Sequence, residues 1–171
     1  MGDCTIKTLC RYHLGSVSTL KPDVIILENG TNDLVANRSR VVGSEIDDLV
    51  QLLLQSYSVQ VIGVCELIPC VRAPFFNAAA PILNQYLHDV PELCPNVFSW
   101  HNSGFSNPTV SPYLQDGVHL HHRGQYSLYQ SYWGAILKAL HSLSFFQHGS
   151  FLVVLICSPF NYTWSPCCSC L

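Results

Sequence analysis

Apolar residues in this chain fall into two rhythms. Val24-Ile25-Ile26-Leu27 is an unbroken β-branched run that ends in Glu28-Asn29-Gly30. Such a run predicts a strand buried on both faces, as in a parallel sheet. Val59, Val61, Ile62 and Val64 predict a second strand over 59–64, and 95–100 predicts a short third one. Between them the spacing becomes helical. Ile6, Leu9, Leu14 and Val17 mark a helix over 4–20, broken at Lys21-Pro22-Asp23. Ile46, Leu49, Val50, Leu53 and Leu54 mark a helix over 44–57, with Ser44 and Asp47 as a capping-box variant. Ile82, Leu83, Tyr86 and Leu87 are the predicted inward face of a helix over 77–90, with Pro81 early in it or kinking it. The last helix is predicted over 124–143, with Tyr129, Trp133, Ile136, Leu137 and Leu140 toward the core and the aromatic series from Tyr126 to Trp133 as a packing stripe.

Helices alternating with buried strands predict an α/β fold, flavodoxin-like with three α/β/α layers, a parallel sheet and right-handed crossovers. Ligands of such sheets bind beyond the C-terminal ends of the strands. Both polar clusters of interest sit there: residues 29–33 directly follow the first predicted strand, and residues 116–119 lie in the Ser-, Asn-, Pro- and Gly-rich loop, 101–118, after the third.

Composition narrows the function classes. A length of 171 residues fits one domain. Charged residues are 11% of the chain against 49% hydrophobic, which argues against disorder. Net charge is −3 and no basic run occurs, so no nucleic-acid partner is expected. No apolar signal segment opens the chain, and the cysteines at 4, 10, 65, 70 and 94 read as reduced, mostly core thiols, which gives a cytoplasmic expectation. After about residue 144 the composition shifts. The apolar run 151–157 is too short to span a bilayer, which takes about 20 residues, and a Cys-rich end follows. The expected division is therefore a domain over 1–143 and an appended tail of unknown role over 144–171.

Two short patterns carry candidate chemistry. In Gly30-Thr31-Asn32-Asp33 the glycine bends the chain at the strand end, and Asn32 offers a carboxamide N–H to the crevice. The alternative for this pattern alone is a helix cap. In Asp116-Gly117-Val118-His119 the spacing lets the carboxylate reach the imidazole Nδ1, fix its tautomer and direct Nε2 outward as a general base. A surface pair is the alternative. His119, His121 and His122 lack a second set of ligands, so no metal is expected. No Gly-rich phosphate loop supports nucleotide binding.

Taken together, Pro22 to Asp33, then Asp116-Gly117-Val118-His119 followed by Gly124, resemble the SGNH (GDSL-type) hydrolase superfamily over about residues 2–142. The resemblance implies a carboxylic-ester hydrolase acting by acyl transfer. His119 would be the general base, Asp116 its orienting partner, and Asn32 with the Gly2 N–H the oxyanion donors. It implies no cofactor and a small-molecule ester as substrate. The family's nucleophile lies in a Gly-Asp-Ser motif after its first strand, and no Gly-Asp-Ser occurs here. Gly2-Asp3-Cys4 matches the family's second block better than its first. The first two strands are therefore expected to be missing, the serine to come from upstream sequence, and the chain alone to be inactive. In the family's 2-1-3-4-5 strand order this loss would leave the Val24–Leu27 strand as an unprotected edge. Two alternatives to a hydrolase domain are a non-catalytic binding module and a degenerate fragment derived from a mobile element.

Overall fold

None of the five residues of β1, Val24–Glu28, reaches solvent. That follows from what surrounds the strand in the computed structural model, which describes residues 14–31, 33–34, 38–70, 74–90, 94–105, 112–144 and 152–157. A helical segment over 14–20, α1, leads into β1. Then come α2 (Ser39–Ser56), β2 (Val61–Cys65), α3 (Pro74–Asp89), β3 (Val97–Trp100), α4 (His122–Ser144) and β4 (Val153–Cys157). The sheet order is β3-β2-β1-β4, and every neighbouring pair is parallel.

The two faces of the sheet bury different side chains because successive strand residues point opposite ways. Ile25, Leu27, Ile62 and Val64 pack against Ile46, Leu49 and Leu53 of α2 and Leu83 and Leu87 of α3. Val24, Ile26 and Phe98 pack against Leu128, Tyr132, Ala135, Ala139 and Leu143 of α4. The result is the three-layer α/β/α arrangement expected from the sequence. No helix of the described residues is long and apolar enough to cross a membrane.

Several local expectations shift. Helix α2 begins at Ser39 rather than Ser44, and its N-cap, Arg38, makes no side-chain cap bond. Ser39 is buried and donates to the Ala79 carbonyl, so contact with α3 sets this end rather than a local capping box. Helix α3 starts at Pro74, where proline suits a first helical turn, and Pro81 lies inside it. Ile82 is exposed, against expectation, while Leu83 and Leu87 are fully buried. In α4 the inward face is rotated by one position. Tyr126, Tyr129, Trp133 and Leu137 are exposed, Leu128, Tyr132, Ala135 and Ala139 are buried, and Ile136 and Leu140 are partly buried. The two alanines let the helix approach the sheet closely, so of the aromatics read as a packing stripe Tyr126, Tyr129 and Trp133 face outward and Tyr132 alone packs inward. Of the helix expected over 4–20, residues 14–20 are helical and residues 4–13 lie outside the described residues.

The largest difference is β4. The segment read as part of an appended tail pairs with β1 over five residues, from Val24 with Val153 to Glu28 with Cys157. Strand β1 is therefore not the edge that the sequence suggested. Entry of β4 is fixed at Asp23: Leu152 N donates to Asp23 Oδ2 at 3.0 Å, and Leu152 O accepts from Asp23 N and Val24 N.

Candidate functional site at the C-terminal rim

The chain leaves β1 through Asn29 and Gly30. Gly30 has φ +107, a conformation that L side chains rarely adopt, and a Cβ there would stand 3.1 Å from Val42 Cγ1. The Gly30 carbonyl accepts from Asp33 N at 3.1 Å, closing a turn. Asn29 is buried, and among the described residues its Nδ2 has no hydrogen-bond partner. Asn32 and Gly2, the expected oxyanion donors, lie outside the described residues.

Asp116 and His119 do come together. Asp116 Oδ2 is 2.6 Å from His119 Nδ1, and Oδ1 accepts from Val118 N at 2.8 Å and His119 N at 2.9 Å. Three hydrogen bonds thus fold 116–119 into an Asx-type turn, with Gly117 at φ +71. The turn is anchored on both sides. Leu114 N donates to His119 O at 2.7 Å, and Tyr113 pairs with Leu120 in an antiparallel bridge. The Tyr113 hydroxyl donates to the Pro69 carbonyl, which ties the turn to the segment leaving β2. Both side chains of the pair are partly solvent-exposed.

The hydrogen bond from Val118 N, then those from the His119 side chain and backbone, pull the Asp116 carboxyl down from its ordinary 3.8 to about 2. A depressed carboxyl pKa stabilises the fold above the ordinary value, and that contribution is lost as pH falls through the depressed one. The 116–119 turn is therefore expected to persist through mild acid and to open only as Asp116 protonates near 2. A carbon-detected titration of the Asp116 carboxyl tests this; a midpoint near 4 would mean that the turn is not formed in solution.

Close packing fixes where the turn meets α4. A Cβ on Gly124 would collide with the Pro112 carbonyl oxygen and stand 3.0 Å from Pro112 Cβ. That same carbonyl accepts from His121 N. Gly124→Ala is expected to cost about 1–3 kcal/mol, typical of overpacking, and to displace 112–121. Thermal melting together with the amide shifts of 116–119 measures both effects; an unshifted loop would show that the contact relaxes freely.

Cys70 lies nearby. Burial raises its thiol pKa first, and the charges of Asp116 and Glu28 raise it further. It is thus held protonated, unlike an activated nucleophile. Burial also raises the Tyr113 phenol. Glu28 is fully buried and accepts from the Tyr132 hydroxyl at 2.7 Å.

Sequence reasoning missed a second acid–imidazole pair on the same rim. Glu66, just past β2, has Oε2 at 2.7 Å from Nδ1 of His101, just past β3. Only their shared position, one residue beyond a buried strand, could have flagged them.

The parallel sheet layered between helices, with the Asp116–His119 turn at its C-terminal rim, is a three-layer α/β/α fold. Among the solved structures that share it are two bacterial proteins. A candidate acylhydrolase from Bacteroides fragilis NCTC 9343 aligns with a TM-score of 0.62 at 18% identity, over 81% of this chain and 73% of that one. A candidate platelet activating factor protein from Streptococcus pneumonia aligns with a TM-score of 0.56 at 18% identity, over 67% of this chain. The alignment spans 59% of that second protein's length. No family model and no curated protein matches the sequence.

Proposed function

We propose that the chain carries the acid–base half of an SGNH-type carboxylic-ester hydrolase. The observation that supports this reading most is the His119 Nδ1 to Asp116 Oδ2 contact of 2.6 Å, locked by two backbone hydrogen bonds to the same carboxylate. A carboxylate so fixed sets one imidazole tautomer and stabilises the imidazolium that forms during acyl transfer. His119 Nε2 takes the proton from an attacking serine hydroxyl as Oγ bonds to the ester carbonyl carbon. It then returns that proton to the departing alkoxide. Asn32 and the Gly2 N–H are the proposed oxyanion donors, and such a donor contributes roughly 10²–10³ in turnover. The substrate is a small-molecule ester, and the chemistry needs no cofactor. The thiols at Cys65, Cys70 and Cys94 suit a reducing compartment such as the cytoplasm.

The 171-residue sequence contains no Gly-Asp-Ser, so this chain alone is expected not to turn over esters. The test is hydrolysis of a short-chain p-nitrophenyl ester by the chain alone and by a longer form with an upstream apolar strand ending in Gly-Asp-Ser. Turnover confined to the longer form supports the reading. Turnover by the chain alone, or by neither form when both are folded, removes it.

A further inference from the structure

Strands β2 and β3 send the chain to opposite faces of the sheet. Past β2 it reaches α3, which packs beside α2; past β3 it reaches α4 on the other face. Where neighbouring strands part in this way the rim opens, and open α/β sheets bind ligands in such crevices. A cavity of about 380 Å³ lies at this fork, between the segment after β2, helix α3 and the segment after β3. That volume is within the small-molecule range. Neither Asp116 nor His119 lines it, so the ester-hydrolase reading leaves the cavity unused.

At its wall stands the Glu66–His101 pair, held in a rigid frame. Glu66 N donates to Trp100 O at 2.9 Å, and Asn102 Nδ2 donates to Glu66 O at 2.7 Å. Asn102 Oδ1 accepts from Ser131 Oγ at 2.8 Å, and Ser131 Oγ accepts from Trp100 Nε1 at 3.0 Å. The ends of β2 and β3 are thereby tied to α4, and the dyad needs no rearrangement to meet a ligand.

Most other polar groups of the wall are spent on the backbone. The Asn84 carboxamide brackets Leu67 N and O, and that of Asn77 brackets Cys70 N and O. Gln85 Nε2 donates to Asp89 at 3.1 Å, and His88 at the outer lip stands 3.9 Å from the same carboxylate. Among the described residues, the Glu66 carboxylate, His101 Nε2 and the Gln85 carbonyl remain to meet a ligand. With Nδ1–H given to Glu66, all three accept hydrogen bonds. Glu66 brings a negative charge, and among the described residues no lysine or arginine lines the cavity. Ile68, Pro81 and Phe105 supply apolar wall.

Acceptors, one anionic carboxylate and a hydrocarbon lining call for a cationic donor with a short apolar body. We propose that this crevice binds a small primary alkylammonium ion. Its N–H groups meet Glu66 and His101 Nε2, and its alkyl part lies against Ile68 and Phe105. The inference does not depend on the ester-hydrolase reading.

The probe is n-butylammonium chloride, titrated into the 171-residue chain in mildly alkaline buffer and followed by amide chemical shifts. Saturable shifts confined to 66–68, 84–85 and 101–105 are expected. Glu66→Gln should weaken binding roughly tenfold or more, as loss of a charge-assisted hydrogen bond does. His101→Gln should weaken it several-fold, and it keeps the test decisive should Glu66→Gln not fold. Sodium n-butyrate should not compete. Butyrate binding as tightly as butylammonium overturns the proposal. So does an affinity unchanged in a folded Glu66 or His101 variant, or the absence of saturable shifts.

Discussion

A chain ending at residue 144 is expected to lose cooperative unfolding and to aggregate. The removed stretch includes β4, which covers the open side of β1 along its whole length. Without it, β1 would present unpaired N–H and C=O groups on a strand whose side chains are Val, Ile, Ile, Leu and Glu, a ready template for association. Ile156 is fully buried, and such a side chain stabilises by about 1.5–3 kcal/mol. Val153, Val154 and Leu155 contribute less because they are partly buried. Each ladder hydrogen bond adds about 1 kcal/mol net. The sum is on the order of 5–10 kcal/mol, comparable to the whole stability of a typical domain. Ile156→Ala in the full chain should cost about 2–5 kcal/mol, the usual range for a buried Ile truncated to Ala. Chemical denaturation and size-exclusion chromatography decide both. If the chain ending at 144 unfolds with the same midpoint and slope as the full chain, β4 is not part of the folded domain.

In a longer form that supplies Gly-Asp-Ser, His119→Ala is expected to lower kcat/KM by roughly 10⁴-fold or more, and Asp116→Asn by a similar order. Both effects follow from the bonding of Asp116. Its Oδ1 holds the backbone of 118 and 119, and its Oδ2 holds the imidazole. An amide at 116 keeps one acceptor but loses the charge that stabilises the imidazolium. His119→Ala leaves the turn's backbone bonds in place, so its folding should be little changed while turnover falls. Steady-state rates on a p-nitrophenyl ester, with circular dichroism as the folding control, make the comparison. Activity surviving His119→Ala in a folded protein would remove the proposed base.

Features set by local chemistry were readable in the sequence. The run 24–27 announced a doubly buried strand, and all five residues of β1 proved unexposed. The spacing of Asp116 and His119 announced a carboxylate–imidazole contact, because three residues with a glycine between them suffice to close it. Features set by distant partners were not readable. Side-chain size suggested the wrong face of α4, since Ala135 and Ala139 face the sheet for the closeness they allow. Ser44 looked like a cap, but the start of α2 is fixed by the Ser39 hydroxyl on α3, forty positions away. Glu66 and His101 lie thirty-five apart and meet only because β2 and β3 are neighbours. Residues 153–157 looked like tail because nothing local tells a strand with a partner from one without.

With β4 seated, the four-stranded sheet of described residues can grow only outside β3 or outside β4. A newcomer at either outer position lies at least two strand spacings, about 9.5 Å, from β1. A serine-bearing strand that must adjoin β1 would first have to evict residues 153–157. In any longer form, ester turnover would therefore report which of the chain's two ends holds that berth, and trimming the C-terminal one should raise it.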